Sequence, residues 1–140
     1  MSLSMKRWFA GFVGFCGLYD LVLFFVFVFA TPLLSSFLGI PVDTLSATLL
    51  QILGSCLLAL GIALIVAARD LDRLLIIPVV DIPARLIGGG AVVYNIVVWG
   101  LPSTLASFGI IDLVLGLVML AFVLGIRDYG IRVAFSRRKT

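Results

Sequence analysis

Apolar residues run almost unbroken through four stretches of this chain, roughly residues 8–30, 46–68, 75–100 and 104–126, and polar residues gather in the short segments between them. Each stretch meets the ~20 residues that a helix needs to cross a ~30 Å hydrocarbon core. In lipid every backbone N–H and C=O must find its partner within the segment, so the stretches read as helices. The pattern predicts an all-α polytopic membrane protein, with four transmembrane helices in a compact antiparallel bundle. Residues 31–45, at about 15 residues, make the longest connection, too short for a further core. The chain 1–140 is therefore expected to be a single transmembrane domain ending in a short basic tail at 127–140.

Three of the apolar stretches carry charge inside them: Asp20 in the first, Asp81 with Arg85 in the third, and Asp112 in the fourth. Insertion scales put each such charge at about 2.5–3.5 kcal/mol near a helix centre. Something must compensate them. Asp20 and Asp112 belong to a shared pattern, Gly17-Leu18-Tyr19-Asp20-Leu21-Val22-Leu23 and Gly109-Ile110-Ile111-Asp112-Leu113-Val114-Leu115, in spans that run in opposite directions. Either an inverted repeat or coincidence in Leu- and Val-rich sequence explains it. At 1.5 Å per residue both carboxylates fall ~12 Å below the same edge of the hydrocarbon.

Gly17 and Gly109 each precede an Asp by three residues on one helical face, and Gly116 follows Asp112 by one turn. Small residues let helices approach, so the Asp-bearing faces are expected to turn inward, with Gly88 as the corresponding packing position on the third span. Asp81, Arg85, Gly88, Val92, Asn95 and Trp99 follow steps of 3 and 4 and share a side. Gln51 and Ser55 stack on the second span, and Gln51 lies at about the depth of Asn95, a secondary polar pair.

Pro78 and Pro83 leave the start of the third span open between two positions. A start near Leu75 puts Arg85 ~15 Å deep; a start after Pro83 lets it snorkel to the headgroups. With the early start, Asp20, Asp112 and Arg85 share one level, and one guanidinium between two carboxylates leaves excess negative charge. A retained proton or a cation then completes the cluster of Asp20, Asp81, Arg85 and Asp112, or the cluster only locks helix register.

Composition agrees with lipid as the solvent: 63% hydrophobic and 12% charged residues, against roughly 45–50% and 25% in soluble domains. The formal charge of +3 is distributed as topology would place it. Lys6 and Arg7, Arg69 and Arg73, and the group Arg127, Arg132, Arg137, Arg138 and Lys139 all fall on one side of a four-pass path. The positive-inside rule then puts both termini in the cytoplasm, and the expected setting is a bacterial inner membrane. The first span is expected to remain uncleaved, because Asp20 interrupts it and no small-x-small site follows. Ser46 and Thr48, and Ser103 and Thr104, are expected to cap the second and fourth helices. Trp8 and Trp99 are placed for opposite headgroup levels.

Several chemistries lose support. The chain has no His, which removes ordinary His-ligated sites, and no metal site is expected. Cys16 and Cys56 stand singly, and no phosphate-binding glycine motif occurs. No catalytic constellation, nucleic-acid partner or cofactor is predicted, although bound lipid or quinone fits the apolar surface. Phe24, Phe25, Phe27 and Phe29 are read as lipid-facing bulk.

Tyr19-Asp20-Leu21, Leu38-Gly39-Ile40-Pro41, Ala67-Ala68-Arg69-Asp70 and Asp112-Leu113 resemble the small uncharacterised four-helix bacterial membrane proteins of the DoxX-like group. The resemblance implies a compact membrane bundle, found in places beside oxidoreductase systems, and transfers no catalytic residue. The first functional expectation is an accessory or structural subunit that packs with lipids and with other membrane subunits or with itself, more a non-enzyme than an enzyme. The alternative is a small oligomeric proton- or cation-coupled transporter using the intramembrane Asp residues. A third is a lipid-, quinone- or sterol-binding protein.

Overall fold

Length and hydropathy dictate the architecture. In the computed structural model, which describes the backbone of residues 3–39, 41–100 and 102–137 and side chains as far as residue 125, α1 runs Leu3–Phe29, α3 Thr44–Arg69, α5 Ile76–Trp99 and α6 Ala106–Arg137. Four segments, Ser4–Phe29, Thr44–Arg69, Ile76–Trp99 and Ser103–Gly125, are long and apolar enough to cross a membrane. This is a membrane protein of four spans. Two short helices, α2 (Thr31–Leu38) and α4 (Leu71–Leu74), occupy connections expected to be irregular. The backbone of α6 continues as helix to Arg137, where a tail was expected from 127. The basic side chains expected there lie outside the described residues.

Local chemistry sets the ends. At the head of α3 the cap is Asp43, whose carboxylate accepts the Ser46 N–H at 2.7 Å. Hydrogen bonding from Ser46, first from its side chain and then from its backbone N–H, holds the exposed Asp43 carboxyl below the usual carboxylate range. Ser46 and Thr48 are therefore not caps; Thr48 Oγ1 donates instead to the Thr44 carbonyl one turn back. Ser103 and Thr104 do not cap either, because a 3₁₀ turn over Ser103–Leu105 leads into α6, with Pro102 at its head and no side-chain cap. Gly39 and Gly100 close α2 and α5 in the left-handed conformation, at φ +68° and +65°.

The third span starts early. Pro78 sits in the first turn of α5, where an N–H has no helical partner to lose. Pro83 lies inside the helix, and its missing N–H leaves the Val79 carbonyl without the usual donor. The early start carries Arg85 about 14 Å along the axis from Ile76, close to the middle of a ~30 Å hydrocarbon core.

The four long helices associate as two pairs. α1 packs chiefly on α3 and α5 chiefly on α6, with a thinner seam between the pairs. Glycines make the close approaches. A Cβ on Gly17 would stand 2.7 Å from the Gly61 carbonyl oxygen, and one on Gly89 would stand 2.6 Å from that of Gly109. The seam is filled by Phe9, Val13 and Cys16 of α1, Leu64 and Ala67 of α3, Ile82 of α5, and Leu115 and Met119 of α6. On the basic face Lys6 of α1 forms an ion pair with Asp72 of α4, tying the start of the chain to the α3–α5 connection. Most other large apolar side chains face outward, Trp8 and Trp99 among them, as lipid-facing surfaces do.

Candidate functional site

One turn beyond the apolar seam, three helices deliver charge to a single point. Arg85 of α5 donates from Nε to Asp81 Oδ2 at 2.6 Å, from Nη2 to Asp20 Oδ2 at 2.7 Å, and from Nη1 to Asp112 Oδ1 at 3.0 Å. The guanidinium suits this role because its rigid planar fork presents donors in several directions at once. Asp81 reaches it from one turn back on the same helix, Asp20 from α1 and Asp112 from α6. Arg85, Asp20 and Asp81 are buried, whereas the Asp112 side chain keeps 31% of its surface exposed.

The charges do not balance. One cation meets three carboxylates, so full ionisation would leave two negative charges in excess near mid-membrane. Low-dielectric surroundings make such an excess expensive unless a proton or another cation offsets it. Two buried polar atoms in this region also have no hydrogen-bond partner among the described residues: Asp81 Oδ1 and the Tyr19 hydroxyl. An unmet polar atom in a membrane interior costs several kcal/mol. These are valences that a donor or an acceptor can fill.

A cavity of about 250 Å³ reaches the cluster from between α3 and α5. Asp20, Asp81, Arg85 and Asp112 supply its polar wall; Leu53, Cys56, Leu57 and Leu60 of α3 supply the apolar one, and Ala84 and Gly88 the rim. A Cβ on Gly88 would meet nothing within 4 Å, so this glycine leaves the cleft open. Among the described residues, no group of three or more carboxylates and thiols has the mutual geometry for a metal ion. The chemistry on offer is proton exchange on carboxylates, or recognition of a cationic group by the same oxygens.

The expected cluster of Asp20, Asp81, Arg85 and Asp112 is thus brought together whole. Gly17, Gly109 and Gly116 pack as expected, Gly116 with its Cβ position 3.2 Å from Arg85 Cβ and 3.1 Å from Leu86. Gly88 does not: its neighbour Gly89 is the close-packing residue, because one residue of helix turns the contact face by 100°. The α5 stripe packs inward at Asp81, Arg85 and Val92, which meets Gly109, opens onto the cleft at the exposed Gly88, and fails at the exposed Trp99. Gln51 is exposed and Asn95 half-buried, and no side-chain hydrogen bond joins them among the described residues. Gln51 offers only its backbone carbonyl, to Ser55 Oγ at 2.9 Å. Cys16 is buried and Cys56 exposed, both free thiols.

Gly61, the Tyr19 hydroxyl and the α3 wall of the cleft escaped the sequence reading. Gly61 carried a signal, since Gly54, Gly61 and Ala68 recur every seven residues and all three face α1. Tyr19 carried none beyond its place beside Asp20. The pairing of Gly17 with Gly61 and Gly109 with Gly89 gives the shared G-x-x-D-L pattern a packing meaning. It matches the first span to the fourth and the second to the third, a reversal of chain order that tandem duplication does not generate.

No family model, curated protein or solved structure matches this chain.

Proposed function

We propose that this chain is a small proton- or cation-coupled membrane transport protein whose working centre is Arg85 with Asp20, Asp81 and Asp112. The observation that carries the reading is the surplus of carboxylates: a structural lock for one buried guanidinium needs one counter-charge, and here three helices contribute three. Carboxyl protons held at this depth, beside a cavity lined by the partly exposed Asp112, are poised to exchange through the cleft between α3 and α5. The basic residues Lys6, Arg7, Arg69 and Arg73 argue for a cytoplasmic position of that face, and for insertion of the chain in a bacterial inner membrane. The functional unit is taken to be an oligomer in lipid.

The test is proton flux in proteoliposomes containing a pH-reporting dye. Asp20→Asn and Asp112→Asn should insert and fold while flux falls at least tenfold; equal flux in wild type and both variants would remove the proposal.

A second reading has its own observation. Phe24, Phe25 and Phe29 form an aromatic cluster on α1, with ring centroids 5.0–5.9 Å apart and with Phe25 and Phe29 turned outward. Such a patch suits packing against another membrane subunit, with the Arg85 centre then serving to lock the two helix pairs. In that case the Asp variants lower thermal stability or loosen a complex, and there is no flux to lose.

A further inference from the structure

We propose that the groove between α1 and α6 at the basic face of the bundle binds one anionic phospholipid, its phosphate at Arg7 and an acyl chain along Gly11, Phe12 and Phe122. The groove encloses about 470 Å³ and is lined by Arg7, Trp8, Gly11, Phe12 and Phe122. Its polarity is graded along the helix. Arg7 lies one turn from Gly11, about 6 Å along the axis, so the single charged lining residue sits at the end of α1 while the rest of the wall is apolar or aromatic.

The wall is firm and the floor is open. Phe122 stacks on Phe9 at 5.2 Å between centroids and tilts against Phe12 at 5.9 Å. A Cβ at Gly11 would meet nothing within 4 Å, which leaves the width of a hydrocarbon chain there. Trp8 stands 75% exposed at the rim, an amphipathic ring at headgroup level.

Charge selects the kind of lipid. On this face Lys6 pairs with Asp72 and Arg73 with Asp70, while Arg7 has no carboxylate partner among the described residues. Arg7 also borders a separate depression of about 360 Å³ that holds Arg69 together with Lys6, Asp70 and Asp72. Arg7, without a carboxylate partner among the described residues and at the mouth of an apolar groove, complements a phosphate that carries no balancing ammonium. The groove shares no lining residue with the Arg85 cleft, so this site does not depend on the transport reading.

The experiment is native mass spectrometry of the protein taken from bilayers of equal phosphatidylglycerol and phosphatidylcholine, with inorganic phosphate as competitor. One phosphatidylglycerol should be retained in preference to phosphatidylcholine. Arg7→Gln, and Gly11→Leu which fills the groove without changing charge, should each lower that retention about tenfold, with thermal transitions near wild type. Equal retention of the two lipids, meaning an annular shell only, overturns the proposal. So does loss in Arg7→Gln together with displacement by inorganic phosphate, which would mark an anion site without a lipid tail; this arm decides the matter even if Gly11→Leu fails to fold.

Discussion

Gly17 of α1 and Gly61 of α3 meet backbone to backbone: a Cβ on either would stand 2.7 or 2.8 Å from the other's carbonyl oxygen. Gly109 of α6 and Gly89 of α5 repeat the relationship at 3.0 and 2.6 Å. Gly17 and Gly109 each lie one turn before an Asp on their own helix, so the crossings that weld the two pairs also bring Asp20 and Asp112 to Arg85. Packing and charge are parts of one device.

Alanine at these crossings must push the helices apart, because the obstructing atom is a carbonyl oxygen and not the end of a flexible side chain. Gly61→Ala and Gly89→Ala should each destabilise the protein by about 1–3 kcal/mol. Gly90→Ala, whose Cβ would meet nothing within 4 Å, should be neutral or stabilising by up to ~1 kcal/mol. Thermal unfolding in detergent separates the two adjacent positions, and equal effects at Gly89 and Gly90 would contradict the packing described.

Removing the cation should hurt more than removing any one carboxylate. Arg85→Gln leaves three carboxyl groups without their donor and should cost about 3–5 kcal/mol, whereas Asp112→Asn trims a surplus charge at a partly exposed position and should cost less than ~1 kcal/mol. Arg85→Lys should not restore stability, since an ammonium lacks the planar fork that reaches three partners. Unfolding in detergent orders the variants, and a result in which Asp112→Asn equals Arg85→Gln would sink this ranking.

The Tyr19 hydroxyl is buried without a hydrogen-bond partner among the described residues, so its removal sacrifices no hydrogen bond to them in the resting fold. Tyr19→Phe should leave thermal stability unchanged or slightly raised. A fall in proton flux in the same variant would assign the hydroxyl to the exchange path. A clear loss of stability would instead show that it is hydrogen-bonded in the membrane.

Asp43 gives a pH dependence located outside the spans. Its carboxyl sits below the ordinary value because it accepts hydrogen bonds from the Ser46 side chain and N–H. A group lowered in the folded state stabilises it above the unfolded value, near pH 4, and loses that contribution as pH falls through the lowered one. Protection of the Ser46 amide against hydrogen exchange, taken relative to its intrinsic rate at each pH, should therefore fall on acidification, and Asp43→Ala should show the lower protection already at neutral pH. An identical acid response in the variant would rule out the cap.

Much of this was legible from hydropathy and spacing. The four spans, the early placement of Arg85 as one of two alternatives, and the gathering of Asp20, Asp81, Arg85 and Asp112 follow from helical rise and the cost of charge in lipid. What escaped did so for physical reasons. The run Gly88-Gly89-Gly90 offers three candidates within 200° of helix, and only the position of α6 picks Gly89. Gln51 and Asn95 match in depth, but depth carries no information about azimuth. The caps moved because Asp43 preceded the apolar run by enough to look like loop.

The central claim, that the Arg85 centre holds exchangeable carboxyl protons, is tested most directly by infrared spectroscopy of the protein in bilayers at neutral pH, in H₂O and D₂O. We predict a protonated-carboxyl C=O band that shifts in D₂O and weakens in Asp20→Asn or Asp112→Asn. A spectrum containing only ionised carboxylates, unchanged in both variants across that region, would contradict the account.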